Sequence, residues 1–273
     1  MVKLLFKIIA PLVCALFICA CDVDLFGFFG SNDLSERWRE RNRFNFLSAA
    51  DRSPSSFGDN YSFIVISDTH ISNGDAHGLE KLKDVISGDI KFVVITGDIT
   101  NNGQRQDVRK FIEIAESLGV PCFPVAGNHD IYFGNWQVWK ELIGSTCYRI
   151  DGGSARLLIL DSANAYFGAE QLDWLENELK SAAGQRVFVF SHVNLFVESP
   201  VDMQQFTSTR ERARITSLLK GRCDAMFTGH VHKRIIREAG GVKYISLEDF
   251  WNNSTYCLVS VSPQGFSWEF KKL

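Results

Sequence analysis

Five of the six histidines follow apolar runs of strand length, in the company of aspartates and an asparagine. "FIVIS" (63–67) leads into Asp68-Thr69-His70, and "FVVIT" (92–96) leads into Gly97-Asp98. "CFPVA" (122–126) is followed by Gly127-Asn128-His129-Asp130, "VFVFS" (187–191) by His192, and "AMFT" (225–228) by Gly229-His230-Val231-His232. Taken singly, each of these is ordinary: polar turns follow strands, and a lone histidine is most often a satisfied core or turn residue. Taken together they describe one chemistry. Carboxylates that converge in a cleft repel one another, and burying them unpaired is costly. Divalent cations remove both objections. Imidazole nitrogen with carboxylate and amide oxygen, and no thiolate, suits Mn²⁺, Fe or Zn²⁺ better than copper or an iron–sulfur cluster. The donors outnumber the needs of one ion, so two ions sharing a carboxylate is the economical arrangement.

Periodicity shows which elements must position these residues. The runs at 63–67, 92–96, 122–126, 156–161, 187–191 and 225–229 are apolar without alternation, which predicts strands covered on both faces. Amphipathic patterns predict helices over 79–86, 104–119, 168–184 and 208–220. The strand–helix–strand order implies parallel crossovers and an α/β architecture. Toward the C-terminus the pattern shifts to hairpins, one turning at Gly240-Gly241 and one over Pro263–Gly265. Neither an internal repeat nor a second domain boundary interrupts the series. Ligands of parallel sheets bind at the C-terminal strand ends, so the expectation is one polar pocket built from five distant segments. The sixth histidine, His77, reads as a loop or helix-start residue, with a place lining the pocket as the lesser alternative, and Trp136 and Trp139 read as helix core rather than as a base-stacking platform. The segment 193–212 reads either as a surface loop or as a lid whose Asn194, Phe196 or Arg210 touches substrate.

The blocks DxH, GD, GNHD, H and GHxH, in that order, resemble the calcineurin-like metallophosphoesterases, in particular the branch that includes class III cyclic-nucleotide phosphodiesterases. One block alone is weak; five in order over residues 68–232 are specific. The resemblance implies a four-layer αββα sandwich, two mixed sheets with helices on the outer faces. It also implies two divalent ions. Asp68, His70 and His232 would hold one, Asn128, His192 and His230 the other, and Asp98 would bridge them. His230 and His232, two apart, would be offered together by an extended or turning backbone. Gly97, Gly127 and Gly229 would let the chain turn sharply into the pocket. In the family, His129 is not a ligand but the catalytic residue that helps the leaving oxygen depart, as proton donor or charge stabiliser. Asp130 would orient that loop through hydrogen bonds. A metal pair about 4 Å apart clamps an in-line displacement at phosphorus and lowers the pKa of a shared water, so the expected activity is phosphodiester hydrolysis. A phosphomonoesterase or pyrophosphohydrolase is the alternative within the fold, and a non-catalytic surface lipoprotein using it as a binding scaffold is the alternative outside enzymology. Relatives often carry a histidine–proline pair where this chain has His192-Val193, a difference that bears on loop shape and leaves the substrate class open.

The N-terminus adds an address. Lys3 and Lys7 precede an uncharged apolar stretch from Ile8 to Ala20, too short to span a membrane comfortably but suited to an export signal. It ends Cys19-Ala20-Cys21, which resembles the lipobox of bacterial lipoproteins. Cys21, after a small residue, fits the lipidated position; Cys19, after bulky Ile18, does not. The expected organisation is a signal peptide over 1–20, a lipid-anchored tether over 21–60 with a solvated arginine-rich helix, and one phosphoesterase domain over 61–273. Such a chain is exported and held to the bacterial envelope, on its periplasmic or surface face. A net charge of −3 over 273 residues argues against sequence-specific nucleic-acid binding. Cys122, Cys147, Cys223 and Cys257 lack CxxC spacing, and Cys122 and Cys257 read as buried free thiols.

Overall fold

The structure is a computed structural model that describes residues 34–54, 57–132, 134–152, 154–182, 184–196, 206 and 208–273. The expected signal peptide, Cys21, the tether up to residue 33 and residues 197–205 of the expected lid lie outside that set.

In chain order the described strands are β1 (Tyr61–Ile66), β2 (Ile90–Ile95), β3 (Cys122–Pro124), β4 (Tyr148–Asp151), β5 (Ala155–Ile159), β6 (Arg186–Phe190), β7 (Ala225–Thr228), β8 (Ile235–Ala239), β9 (Val242–Ser246), β10 (Thr255–Ser262) and β11 (Gly265–Lys272). The helices are α1 (Leu34–Arg39), α2 (Ala49–Arg52), α3 (Arg105–Ser117), α4 (Asn128–Ile131), α5 (Trp136–Leu142), α6 (Ala169–Ser181), α7 (Thr209–Leu219) and α8 (Phe250–Asn253). Two mixed sheets result, ordered β11-β10-β1-β2-β3 and β4-β5-β6-β7-β9-β8. Within them β1, β2 and β3 run parallel, as do β5, β6, β7 and β9. The antiparallel strands are the C-terminal hairpin β10–β11 and the edge strands β4 and β8.

Alternation of side chains along fully apolar strands produces the four layers. Phe63 and Val65 of β1 face β6 residues Phe188 and Phe190 between the sheets. Ile64 and Ile66 point the other way, onto Val108 and Phe111 of α3. On the second sheet Val187 and Val189 pack outward against Leu172 and Leu175 of α6 and Ile215 of α7. Phe63 stacks on Phe92 at 4.7 Å and meets Phe188 edge-on at 5.2 Å. Such ring pairs add about 0.5–1.5 kcal/mol each beyond the area they bury. The expected αββα sandwich is what forms, and Trp136 and Trp139 are buried beneath its outer layer. All four described cysteines are buried and free.

Two expectations are corrected. Residues 79–86 form a 3₁₀ turn, Leu79–Asp84, instead of an α-helix. Its buried residues Leu79 and Leu82 are three apart, the spacing that a three-residue turn places in line. The second correction is larger. The described residues of the 34–60 stretch, 34–54 and 57–60, are not a tether but part of the folded body. Arg37 of α1 is 1% exposed, and its Nε and Nη2 donate to Asp161 Oδ2 at 2.6 Å and Oδ1 at 3.2 Å. Leu47 and Phe57 enter the core between the sheets, and Phe44 pairs with Gly144. Because Arg37 is buried and paired, the arginine-rich helix is not a uniformly solvated face.

Removing one partner of a buried ion pair strands the other charge. Arg37→Ala is therefore expected to destabilise the chain by about 3–5 kcal/mol in urea unfolding. An Arg37→Met/Asp161→Leu double variant should recover much of that loss. A single-variant effect in the range of an exposed pair, about 1 kcal/mol or less, would show that α1 is not docked in solution.

Candidate metal centre

The candidate residues sit where the parallel strands of both sheets end. Asp68 and His70 follow β1, Asp98 follows β2, Asn128 follows β3, His192 follows β6, and His230 and His232 follow β7. Backbone bonds lace the loops together. The Asp68 and His70 N–H groups donate to the Gly97 and Asp98 carbonyls, each at 3.0 Å. Gly229 N–H donates to the His192 carbonyl at 2.9 Å. At this edge a side-chain bond ties the second sheet to the first: His192 Nδ1 lies 2.8 Å from the Thr96 carbonyl oxygen.

Asp68, His70, Asp98, His230 and His232 all have φ between 45° and 70°. This left-handed conformation is unfavourable for residues with a side chain and persists where surroundings over-determine it. Of the extended or turning backbone expected to offer His230 and His232, it is the turning form that occurs. Both lie in a left-handed turn, and each joins a different cluster. His232 meets Asp68 and His70, whereas His230 meets Asp98 and His192. The glycines act mainly by close approach. A Cβ at Gly127 would collide with Asp98, and one at Gly229 with Ser67 Oγ and Asp68 Oδ2. Of the three, Gly97 alone has a positive φ, 96°.

Within each cluster the candidate ligand atoms lie within 4.8 Å of one another. A carbonyl can only accept, so Nδ1 of His192 carries the proton for Thr96 and, in the neutral ring, Nε2 presents a lone pair. That atom lies 3.0 Å from Asn128 Oδ1, 3.1 Å from Asp98 Oδ2 and 3.1 Å from His230 Nδ1. In the other cluster His232 Nε2 lies 3.2 Å from Asp68 Oδ1 and 3.4 Å from His70 Nε2, and His70 Nδ1 is buried without a hydrogen-bond partner. Acceptors facing acceptors at these distances call for positive charge between them. The titration tendencies say the same. Burial alone would raise the Asp98 carboxyl and lower His192, yet their mutual attraction wins, holding Asp98 well below its usual range and raising His192. Burial, then the neighbouring His192 charge, push His230 down to about 4. A shared proton meets this demand in part; divalent cations meet it in full, and the donor set fits them.

The GNHD loop is held from behind. Asp130 Oδ1 accepts from the Thr100 N–H at 2.8 Å and the Thr100 hydroxyl at 2.9 Å, while Oδ2 accepts from Gly127 N–H at 3.0 Å and Ile99 N–H at 3.2 Å. Burial and the Asp98 charge raise its carboxyl to about 6 against those bonds. His129 N–H donates to Asp98 Oδ1 at 2.9 Å, and its ring Nδ1 donates to the Asn101 carbonyl at 2.7 Å. His129 also falls within reach of His70 and Asp98, so geometry alone does not separate it from the ligands.

This arrangement matches a known family model, the calcineurin-like phosphoesterases, over residues 61–234. The chain belongs to that family. Among curated relatives, a probable glycerophosphodiester phosphodiesterase GpdQ from Arcobacter nitrofigilis is 32% identical over 52% of this chain and 56% of its own length. The chain thus spans little more than half of that relative. The 3′,5′-cyclic adenosine monophosphate phosphodiesterase CpdA of Pseudomonas aeruginosa is 25% identical over 67% of this chain and 74% of its own. Among solved structures, a dimetal phosphatase from Danio rerio superposes with a TM-score of 0.59 at 13% identity, over 78% of this chain and 96% of its own. A purple acid phosphatase from yellow lupin does so with a TM-score of 0.62 at 16% identity, over 81% of this chain and 53% of its own. At those identities the structural likeness concerns the fold.

All seven proposed ligands, His129 and Asp130 are brought to one edge of the sandwich. Two of the expected lid residues have other partners. Asn194 Oδ1 is committed to the Phe196 N–H at 2.8 Å, and Phe196 packs on Tyr244 in the outer core of the second sheet. One residue at the site, Trp251, went unforeseen, and His77 takes its lesser reading, a place in the pocket. His77 Nε2 lies 3.2 Å from the His70 carbonyl oxygen, and Trp251 sits 5.5 Å from the His70 ring. Neither belongs to a block that the sequence patterns single out.

A methyl group at Gly229 would drive into Asp68 and Ser67. Gly229→Ala is accordingly expected to lose bound Mn²⁺ or Zn²⁺, measured by plasma mass spectrometry, while far-UV circular dichroism stays wild-type. Full metal content in that variant would show that Asp68 yields without leaving the cluster.

Proposed function

We propose that this chain hydrolyses phosphodiesters, with Asp68, His70 and His232 holding one divalent ion, Asn128, His192 and His230 holding a second, and Asp98 shared. The observation that carries this reading is the convergence at His192 Nε2. With Nδ1 committed to Thr96, Nε2 has an amide oxygen 3.0 Å away and a carboxylate oxygen 3.1 Å away, three donors gathered for one ion. Divalent ions held there supply Lewis acidity at the phosphoryl oxygens and a nucleophile from water near neutral pH.

The chain's own residues do the remaining work. Thr96 fixes the His192 tautomer, as an outer hydrogen bond does for a metal-ligating imidazole. Asp130 ties the loops bearing Asp98 and Asn128 to one another, so the two segments move as a unit. Asn101 holds the His129 proton on Nδ1 and leaves Nε2 to serve the leaving oxygen, as proton donor in the doubly protonated ring. The preference for diesters over monoesters is supported by the names of two relatives, the glycerophosphodiester and cyclic adenosine monophosphate phosphodiesterases.

The test compares bis-p-nitrophenyl phosphate with p-nitrophenyl phosphate in Mn²⁺, Zn²⁺ and Mg²⁺, before and after chelation. Diester cleavage that chelator abolishes and metal restores is the expected result. Bound metal without turnover of either ester would make the sandwich a binding scaffold. In the same assay His129→Ala should lower turnover by about 100-fold or more with metal content unchanged. Loss of metal from that variant would make His129 a ligand instead.

We further propose that the chain is exported and anchored to the envelope through acylated Cys21, on the strength of the charge, apolar length and small residue before that cysteine. Mass spectrometry of the membrane-extracted protein should find an N-terminal acylated Cys21. An intact Met1 there would rule the anchor out.

A further inference from the structure

Trp251 is 44% exposed, and only one other large hydrophobic side chain among the described residues, Ile236, is comparably open. Its mount is rigid. Phe250, the preceding residue, is fully buried, and its N–H donates to the Ser67 carbonyl at 2.8 Å. The Trp251 N–H donates to the carbonyl of Asp68 at 3.2 Å, so the backbone of α8 hangs directly on a proposed ligand. Asp249 caps the turn: Oδ2 accepts from the Asn252 N–H at 3.0 Å and Asn252 Nδ2 at 2.7 Å, and Oδ1 accepts from Asn253 Nδ2 at 2.9 Å. Two imidazoles brace the indole. Its ring centre lies 5.5 Å from His70 and 5.8 Å from His77, at interplanar angles of 62° and 52°. His77 is itself tied to the His70 carbonyl. The sixth histidine therefore has a place in the site, as a support for the ring beside it.

An indole left in water forgoes the stabilisation that burial gives, and this mount prevents it from folding inward. It stands 5.5 Å from the His70 ring, within reach of a group carried on a phosphate at the metal centre. Both neighbouring side-chain amides, of Asn252 and Asn253, are committed to Asp249. With those amides drawn toward Asp249, what the platform chiefly offers is its π face. We propose that Trp251 is a stacking platform for a planar aromatic group esterified to the phosphate, a nucleobase being the biological case. The diesters preferred by this chain are then nucleoside esters rather than glycerol esters, with little discrimination among bases. Stacking is tolerant in this way because every base has a π face. The inference rests on the phosphodiesterase reading above and specifies the substrate class of that same site.

The test uses the metal-loaded chain, 3′,5′-cyclic AMP as the aromatic diester and glycerophosphoethanolamine as the non-aromatic one. Trp251→Ala is expected to lower the ratio of their kcat/KM values by about 5- to 150-fold, the range that base–aromatic stacking commands, through KM for the nucleotide. Trp251→Phe should recover most of the ratio. Titration with AMP should quench tryptophan fluorescence in the wild type and not in Trp251→Ala, with metal content equal in both. A ratio unchanged in Trp251→Ala, or a wild type that prefers glycerophosphoethanolamine, overturns the platform and leaves the phosphodiesterase reading standing. Metal lost from Trp251→Ala overturns it too, making the indole a prop for His70. A wild type that retains metal yet cleaves neither ester removes the underlying reading along with it.

Discussion

Asp98 is a carboxylate 2% exposed, with the Asp68 carboxylate, fully buried, in the same pocket. Two buried like charges in close company are among the least favourable things a fold can hold, and most of the surrounding structure answers that repulsion. The His129 N–H donates to one Asp98 oxygen, and His192 faces the other. Asp68 takes the Ser67 hydroxyl and the His230 N–H. These bonds reduce the excess of negative charge but do not cancel it, and the remaining partners, imidazole nitrogens and an amide oxygen, are acceptors in their turn. The centre is thereby shaped for cations by its own deficit of protons.

That demand explains the local backbone. Five left-handed residues in one pocket represent strain of about 1–3 kcal/mol apiece, and loops alone do not sustain it. The sandwich does. Each of these loops begins in a strand whose two faces are buried in different cores, so its last residue is fixed in direction before the loop starts. The glycines then permit loops from different strands to approach closer than side chains allow. The rigidity of the apolar layers and the strain of the polar edge belong together, because the first holds the second in place.

The layers were legible in the sequence for the same reason that they are rigid. Phe63-Ile64-Val65-Ile66 is apolar at every position because both faces are covered, and a polar residue on either face would have broken the run. The polar residues right after such runs were legible as a cluster because parallel strands bring their C-terminal ends to one edge. What stayed hidden depends on long-range pairing or on a single side chain's exposure. Arg37 looks like its neighbours Arg39, Arg41 and Arg43, and its burial is decided by Asp161, 124 residues away. The left-handed turns at His230 and His232 leave no mark in composition, since neither residue is a glycine. Trp251 follows the apolar Phe250 and has no signature that separates a mounted, exposed indole from core.

The docking of residues 34–60 also changes what an N-terminal anchor would do. A tether running to residue 60 would have let the domain wander from its attachment point. With Arg37 paired to Asp161 and Leu47 and Phe57 inside the inter-sheet core, the folded body already includes α1. Asp161 lies directly beyond β5, and its Oδ1 also accepts from the Ala163 N–H at 3.2 Å, so the same carboxylate that seats α1 shapes the loop after that strand. The Tyr132 hydroxyl, on the segment that follows the GNHD loop, donates to the Ala163 carbonyl at 2.7 Å. A chain of direct contacts thus leads from α1 through Asp161 and Ala163 to the loop that carries His129. The N-terminal helix is in this sense an outer support of the edge that gathers the candidate ligands.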